Sequence, residues 1–225
     1  MSYRVVLVVI TLAGVLTGCT GKVRQGPVFE PYTVVAPDRD VVADAWLFNA
    51  RAYRDGKPTT LRMNVYHTDS VVGITGTGYL GKGAFRAILT ADTVMAYFPS
   101  TNEYLLGSLD SLFGMSACGE GLNAPDLLKL LTARPDSGSI AMTAQSPHQI
   151  NDDRWAYTVS WLSCPWRMEM EYQRRGERWI LDEFRFERAE SFRLTSVCPV
   201  FKPSQEVVAT KFQVVVPSDA MRITP

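Results

Sequence analysis

The sequence predicts a mostly β domain of the α+β kind, a strongly curved antiparallel sheet of about 11 strands with a few short helices on one side. Three observations predict it. Apolar residues alternate with polar ones at a period of two through much of the chain. Turn signals separate these runs at short intervals. The clearest helical spacing inside the chain falls in two stretches, Leu109 to Met115 and a second that opens at Asn123 and stops before Pro135.

The elements follow in order. Asp38 is placed to cap a short helix over Arg39 to Ala45, with Val41, Val42 and Ala45 on one side. Leu47 to Tyr53 reads as a strand leading to the turn Asp55-Gly56-Lys57-Pro58. Leu61, Met63, Val65 and His67 then alternate with Arg62, Asn64 and Tyr66. Val71 to Thr75 is a third strand, and residues 76–83 form a glycine-rich loop. Ala84 to Thr90 and Thr93 to Pro99 make a hairpin about Ala91-Asp92, and Ser100-Thr101-Asn102 turns the chain into Tyr104 to Gly107. The first helix contains Phe113. The second is capped by Asn123, has Pro125 in its first turn, sets Leu127, Leu128, Leu130 and Leu131 on one broad face, and stops before Pro135.

Strands then resume. Trp155, Tyr157, Val159 and Trp161 share a face. Trp166, Met168, Met170 and Tyr172 share another, against Arg167, Glu169, Glu171 and Gln173, the cleanest alternation in the chain. Arg174 to Glu177 turns it into Trp179 to Glu187, and further strands are expected at Phe192 to Val197, Val207 to Val216 and Met221 to Thr224. The Met and aromatic face is soft and adaptable. It reads as core residue by residue, but a curved sheet covered by short helices can leave a cavity suited to acyl chains.

The N-terminus carries a separate signal. Arg4 precedes an apolar stretch from Val5 to Leu16 that is shorter than the roughly 20 residues a membrane span needs. It ends in Leu16-Thr17-Gly18-Cys19. This run resembles the bacterial lipobox. It implies cleavage after residue 18, lipidation of Cys19, a tether over residues 19–37, and one domain over residues 38–225. Thr20 stands where an inner-membrane retention signal would place Asp, so the expected location is the periplasmic face of the outer membrane.

Composition excludes several classes. Lys+Arg and Asp+Glu both number 23, and losing Arg4 leaves the mature chain slightly acidic. No basic tail or patch invites nucleic acid. Cys118, Cys164 and Cys198 meet an oxidising compartment. Regular strand pairing would set Cys164 and Cys198 about 25 Å apart at roughly 3.3 Å per residue, too far for a bridge. Cys118 is therefore the shared member of any disulfide, with Cys164 or Cys198.

Chemical motifs are sparse. Gly76-Thr77-Gly78-Tyr79-Leu80-Gly81 fits G-x-G-x-x-G, and through Lys82 it nearly fits a Walker A loop, while Trp179 to Glu183 resembles a Walker B strand. Phosphate binding by such loops needs a helix directly after them, and here a strand follows, with Gly83 in place of the magnesium-binding hydroxyl. No nucleotide is expected. His67 continues an apolar face and reads as partly buried; His148 follows Pro147 in a polar loop near Asp152-Asp153. No G-x-S-x-G, H-E-x-x-H or C-x-x-C occurs, so neither an enzyme nor a metal or cofactor site is expected.

With these elements in order, the chain resembles the LolA/LolB superfamily of lipoprotein carriers and receptors, the LolB branch more closely because its members are lipoproteins. The segment Gly78-Tyr79-Leu80-Gly81, followed by Ala84 to Leu89, Thr93 to Phe98 and Tyr104, is similar to the family's protruding-loop region. Leu109 to Gly114 and Pro125 to Pro135 fall where the family has lid helices, and Pro203 to Thr224 where it has closing strands. The resemblance implies an unclosed β-barrel with helices as a lid over an apolar cavity. Phe113, Leu127, Leu128, Leu131, Trp161, Trp166, Met168, Met170 and Tyr172 are the cavity and lid candidates. It implies acyl chains of lipoproteins as cargo, a periplasmic LolA-like carrier as partner, a monomer, and Gly78 to Gly81 as the membrane-insertion loop with Leu80 at the inserting position. Two features depart from LolB: the extra cysteines and the insertion Cys118 to Leu122. Lipoproteins of the same fold with another lipid or partner, or with a filled structural core, fit the same pattern.

Overall fold

The computed structural model describes residues 37–54, 57–90, 93–108, 145–160, 166–188 and 192–223. They form one sheet of twelve strands: β1 (Val41–Arg54), β2 (Lys57–His67), β3 (Val71–Thr77), β4 (Gly83–Thr90), β5 (Thr93–Phe98), β6 (Glu103–Ser108), β7 (Gln145–Asn151), β8 (Arg154–Ser160), β9 (Trp166–Arg175), β10 (Arg178–Arg188), β11 (Phe192–Val207) and β12 (Met221–Ile223). The order is β12-β6-β5-β4-β3-β2-β1-β11-β10-β9-β8-β7. Neighbours pair antiparallel except β12, which runs parallel to β6. β7 and β12 are the two edges, so the sheet is an unclosed β-barrel, as the sequence predicts.

Register explains the core. On the inner face, Leu61, Ala50, Ser196, Phe184, Met170 and Tyr157 stand opposite one another across β2, β1, β11, β10, β9 and β8. All six are buried. The continuous cluster reaches from Val94, Ala96 and Phe98 on β5 to Tyr157 on β8. Removing each large side chain from water contributes roughly 1.5–3 kcal/mol, which makes this face the main source of stability. A smaller cluster on the outer face gathers Ala43, Val71, Ile88, Val207 and Phe212.

Several expectations require correction. Asp38 caps no helix: β1 begins at Val41. The spacing of Val41, Val42 and Ala45 is compatible with a helix, but pairing with Val207, Glu206 and Lys202 of β11 supplies backbone partners that local sequence cannot show. The expected strands at 192–197 and 207–216 are instead one strand ending at Val207, followed by a single 3-10 turn at Ala209–Phe212. Phe212 is fully buried there against Gly73 and Tyr66. His148 is not in a loop; it lies in edge strand β7, opposite Ala156. Residues 76 and 77 belong to β3 rather than to a loop.

Candidate functional site

The β3–β4 hairpin closes tightly. The Gly78 N–H donates to Lys82 O at 2.8 Å and the Gly81 N–H to Gly78 O at 3.2 Å. This closure forces Leu80 into the left-handed region at φ 59°, ψ 24°. A left-handed conformation costs a residue with a Cβ roughly 1–2 kcal/mol. Leu80 is also 78% exposed. The chain therefore holds a large apolar side chain in water on a strained backbone at the tip of a hairpin. Gly78 to Gly81 lie in the turn of this hairpin, in the loop where the glycine pattern predicts them; Lys82 then leads straight into β4, which begins at Gly83, rather than into a helix.

Among the predicted inner-face residues, Met168, Met170 and Tyr172 are buried. The Tyr172 hydroxyl donates to Met170 Sδ at 3.7 Å, and the Tyr157 and Tyr172 rings meet edge to face at 5.7 Å. Burial pushes the Tyr172 phenol well above its ordinary range, with Tyr157 adding to the shift. The hydroxyl stays neutral and the face stays apolar. Trp166 begins β9. Phe113, Leu127, Leu128, Leu131, Trp161, Cys19, Cys118 and Cys164 lie outside the described residues. Two inner-face polar atoms, Trp46 Nε1 and Ser196 Oγ, are buried without a hydrogen-bond partner.

Among the described residues Cys198 carries a free, buried thiol that donates to Val200 O at 3.3 Å. Burial, against the opposing Arg175 guanidinium, pushes this thiol up to about 11. Burial and the raised pKa favour the neutral thiol, which packs into the core. His67 stacks edge to face on Trp46 at 6.1 Å and is half-buried, as its place on the apolar face predicts. The Walker B-like run is a structural ion-pair site: Asp182 accepts from Arg175 Nη2 at 2.7 Å and Arg154 Nη2 at 3.0 Å, and the same Arg175 nitrogen donates to Cys198 O at 3.1 Å. Among the described residues no group of three or more His, Cys, Asp or Glu could hold a metal ion, and no helix is long and apolar enough to cross a membrane.

An outer-face groove of about 470 Å³, which local periodicity does not reveal, lies beside the hairpin. Arg51, Arg62, Asn49, Thr60, Thr195 and Val197 line it, together with Ala50, Leu61, Thr77 and Gly78. The alternation of β2 marks Arg62 as outward, but only the β1–β2 and β1–β11 registers bring it beside Arg51 and Thr195.

Fold and hairpin together define a class of protein: an open antiparallel half-barrel with a continuous apolar inner face and an exposed apolar tip at one rim. No protein-family model matches the chain, and no curated protein matches it. Its fold is similar to an uncharacterized conserved protein from Thermus thermophilus, at 11% identity and a TM-score of 0.44 over 80% of this chain and 89% of that one. It is also similar to a DUF1329 family protein from Desulfovibrio piger, at 9% identity and a TM-score of 0.43 over 77% and 90%. A third similar structure is a domain provisionally named an outer membrane lipoprotein-sorting protein, from Vibrio parahaemolyticus, at 6% identity and a TM-score of 0.36 over 72% and 85%.

Proposed function

We propose that this protein is a lipid-binding lipoprotein of the cell envelope, anchored through Cys19, that accepts acyl chains of other lipoproteins and places them in the outer membrane in the manner of a LolB-like receptor. The role is non-enzymatic. Leu80 carries the reading. An exposed leucine forgoes roughly 1.5–3 kcal/mol of burial, which a bilayer would return. A sheet that spends backbone strain to present it has a use for it. The second requirement is an apolar surface for alkyl chains, and the apolar inner face of the unclosed sheet, running from β5 to β8, supports it.

The test is Leu80→Glu in the full chain. The variant should keep its melting temperature and its binding of an apolar fluorescent probe. It should lose delivery of an acylated lipoprotein from a soluble carrier into vesicles. Undiminished delivery would remove Leu80 from the mechanism, and failure of the parent chain to deliver any acylated protein would remove the receptor role.

A further inference from the structure

The outer groove joins the hairpin that carries Leu80, since Thr77 and Gly78 form one of its walls. Its floor is set by register. Val197, Asn49, Arg62 and Thr77 make one row across β11, β1, β2 and β3; Thr195, Arg51 and Thr60 make the next. Arg51 is thus diagonal to Arg62, about 7–8 Å away at the backbone, close enough for two guanidinium groups to converge on one anion. Thr77 Oγ1 donates to Arg62 O at 3.2 Å and Thr195 Oγ1 to Arg51 O at 3.4 Å, which fixes both walls.

Most arginines elsewhere on the outer face are paired; Arg86 on β4 is an exception, with no acidic partner among the described residues. Arg154, Arg167, Arg175, Arg178, Arg185 and Arg193 each pair with a carboxylate. Arg51 and Arg62 have no acidic partner among the described residues; Arg51 lies over the Tyr53 ring at 5.6 Å instead. The strand residues of β2, β3 and β4 include no Asp or Glu. Two exposed arginines facing one groove repel each other unless an anion sits between them. The guanidinium fork matches phosphate oxygens, and the flanking Thr and Asn groups suit the polar remainder of a headgroup.

We propose that this groove binds the phosphate of an anionic phospholipid headgroup, with Arg51 and Arg62 as the binding residues. Continuity with the hairpin selects a lipid: a headgroup held there belongs to the same leaflet that Leu80 would enter. The inference rests on the proposed function only for that bilayer. Headgroup binding needs neither cargo nor insertion, so Leu80→Gly, which adds no charge beside the groove, should leave it intact.

The experiment is native mass spectrometry of the full chain in uncharged detergent with equimolar phosphatidylglycerol and phosphatidylcholine. The parent chain should retain phosphatidylglycerol preferentially. Arg51→Gln with Arg62→Gln should lower that preference about tenfold or more, with melting unchanged because both side chains are exposed. Arg185→Gln removes an equal kind of charge from a paired site and should leave the preference in place. Equal retention of both lipids, an unaltered preference in the double variant, or its loss in Arg185→Gln overturns the proposal. Displacement of phosphatidylglycerol by millimolar inorganic phosphate assigns the groove to free phosphate and overturns the lipid assignment.

Discussion

The ring of Phe85 occupies the space that a side chain at Gly76 would need. The two residues are opposite each other on β3 and β4, and a Cβ at Gly76 would run into three atoms of the buried ring. Gly76 is thus required by an inner-face contact, not by a phosphate loop. Gly76→Ala should destabilise the fold by about 1–3 kcal/mol through overpacking. Adding Phe85→Leu should restore part of the loss, read as urea unfolding midpoints of the single and double variants.

Leu80 gives the opposite expectation. Glycine tolerates φ 59° without the penalty that leucine bears. Leu80→Gly should leave stability unchanged or raise it by up to about 1 kcal/mol, while abolishing vesicle insertion. A melting curve and an insertion assay on the same preparation separate the two effects.

Asp182 holds two arginines at once, Arg154 from β8 and Arg175 from β9. Asp182→Asn keeps the shape and removes the charge. The expected loss is about 1–3 kcal/mol, less than for a fully buried pair because both arginines remain partly in solvent. Arg175→Met should lose less than Asp182→Asn, since one arginine then stays paired. Equal losses would mean that Arg154 contributes nothing.

Stability should fall in mild acid because of His67. Burial lowers its pKa below 6.5, outweighing the nearby carboxylates of Asp44 and Asp69. Well above 6.5 the imidazole is neutral in both states and contributes no pH dependence. As the pH drops through 6.5 the unfolded chain takes the proton first, so stability declines until the folded His67 is protonated too. Urea midpoints measured from about pH 8 to about pH 5 should fall more for the parent chain than for His67→Gln.

Much of the fold was legible where one face meets the core and the other meets water. Met168, Met170 and Tyr172 against Arg167, Glu169 and Glu171 is such a case, and the observed burial follows that alternation. Legibility failed where backbone pairing overrode local preference. Strand β11 passes through Pro199 and Pro203, which break a strand on paper. Both fall within its register shifts against β1, where the ladder is interrupted and a missing N–H costs nothing. At the second shift Ser204 has φ 51°, and its N–H donates to Asp44 Oδ1 at 2.9 Å. Pro147 is tolerated for a related reason, because β7 is an edge.

The sequence by itself determined the class of fold, the inner-face residues of β9 and the hairpin that ends in Leu80, because side-chain period and turn chemistry are local. Only the tertiary structure decided that β1 is a strand from Val41, that Asp182 is an ion-pair centre and that Arg51 and Arg62 share a groove. Each depends on partners far along the chain: Asp44 meets Ser204, and Arg51 lies opposite Thr195. Hydrogen bonds and ion pairs between distant strands leave no periodic trace in the sequence. They exist only once the sheet has brought its strands into register.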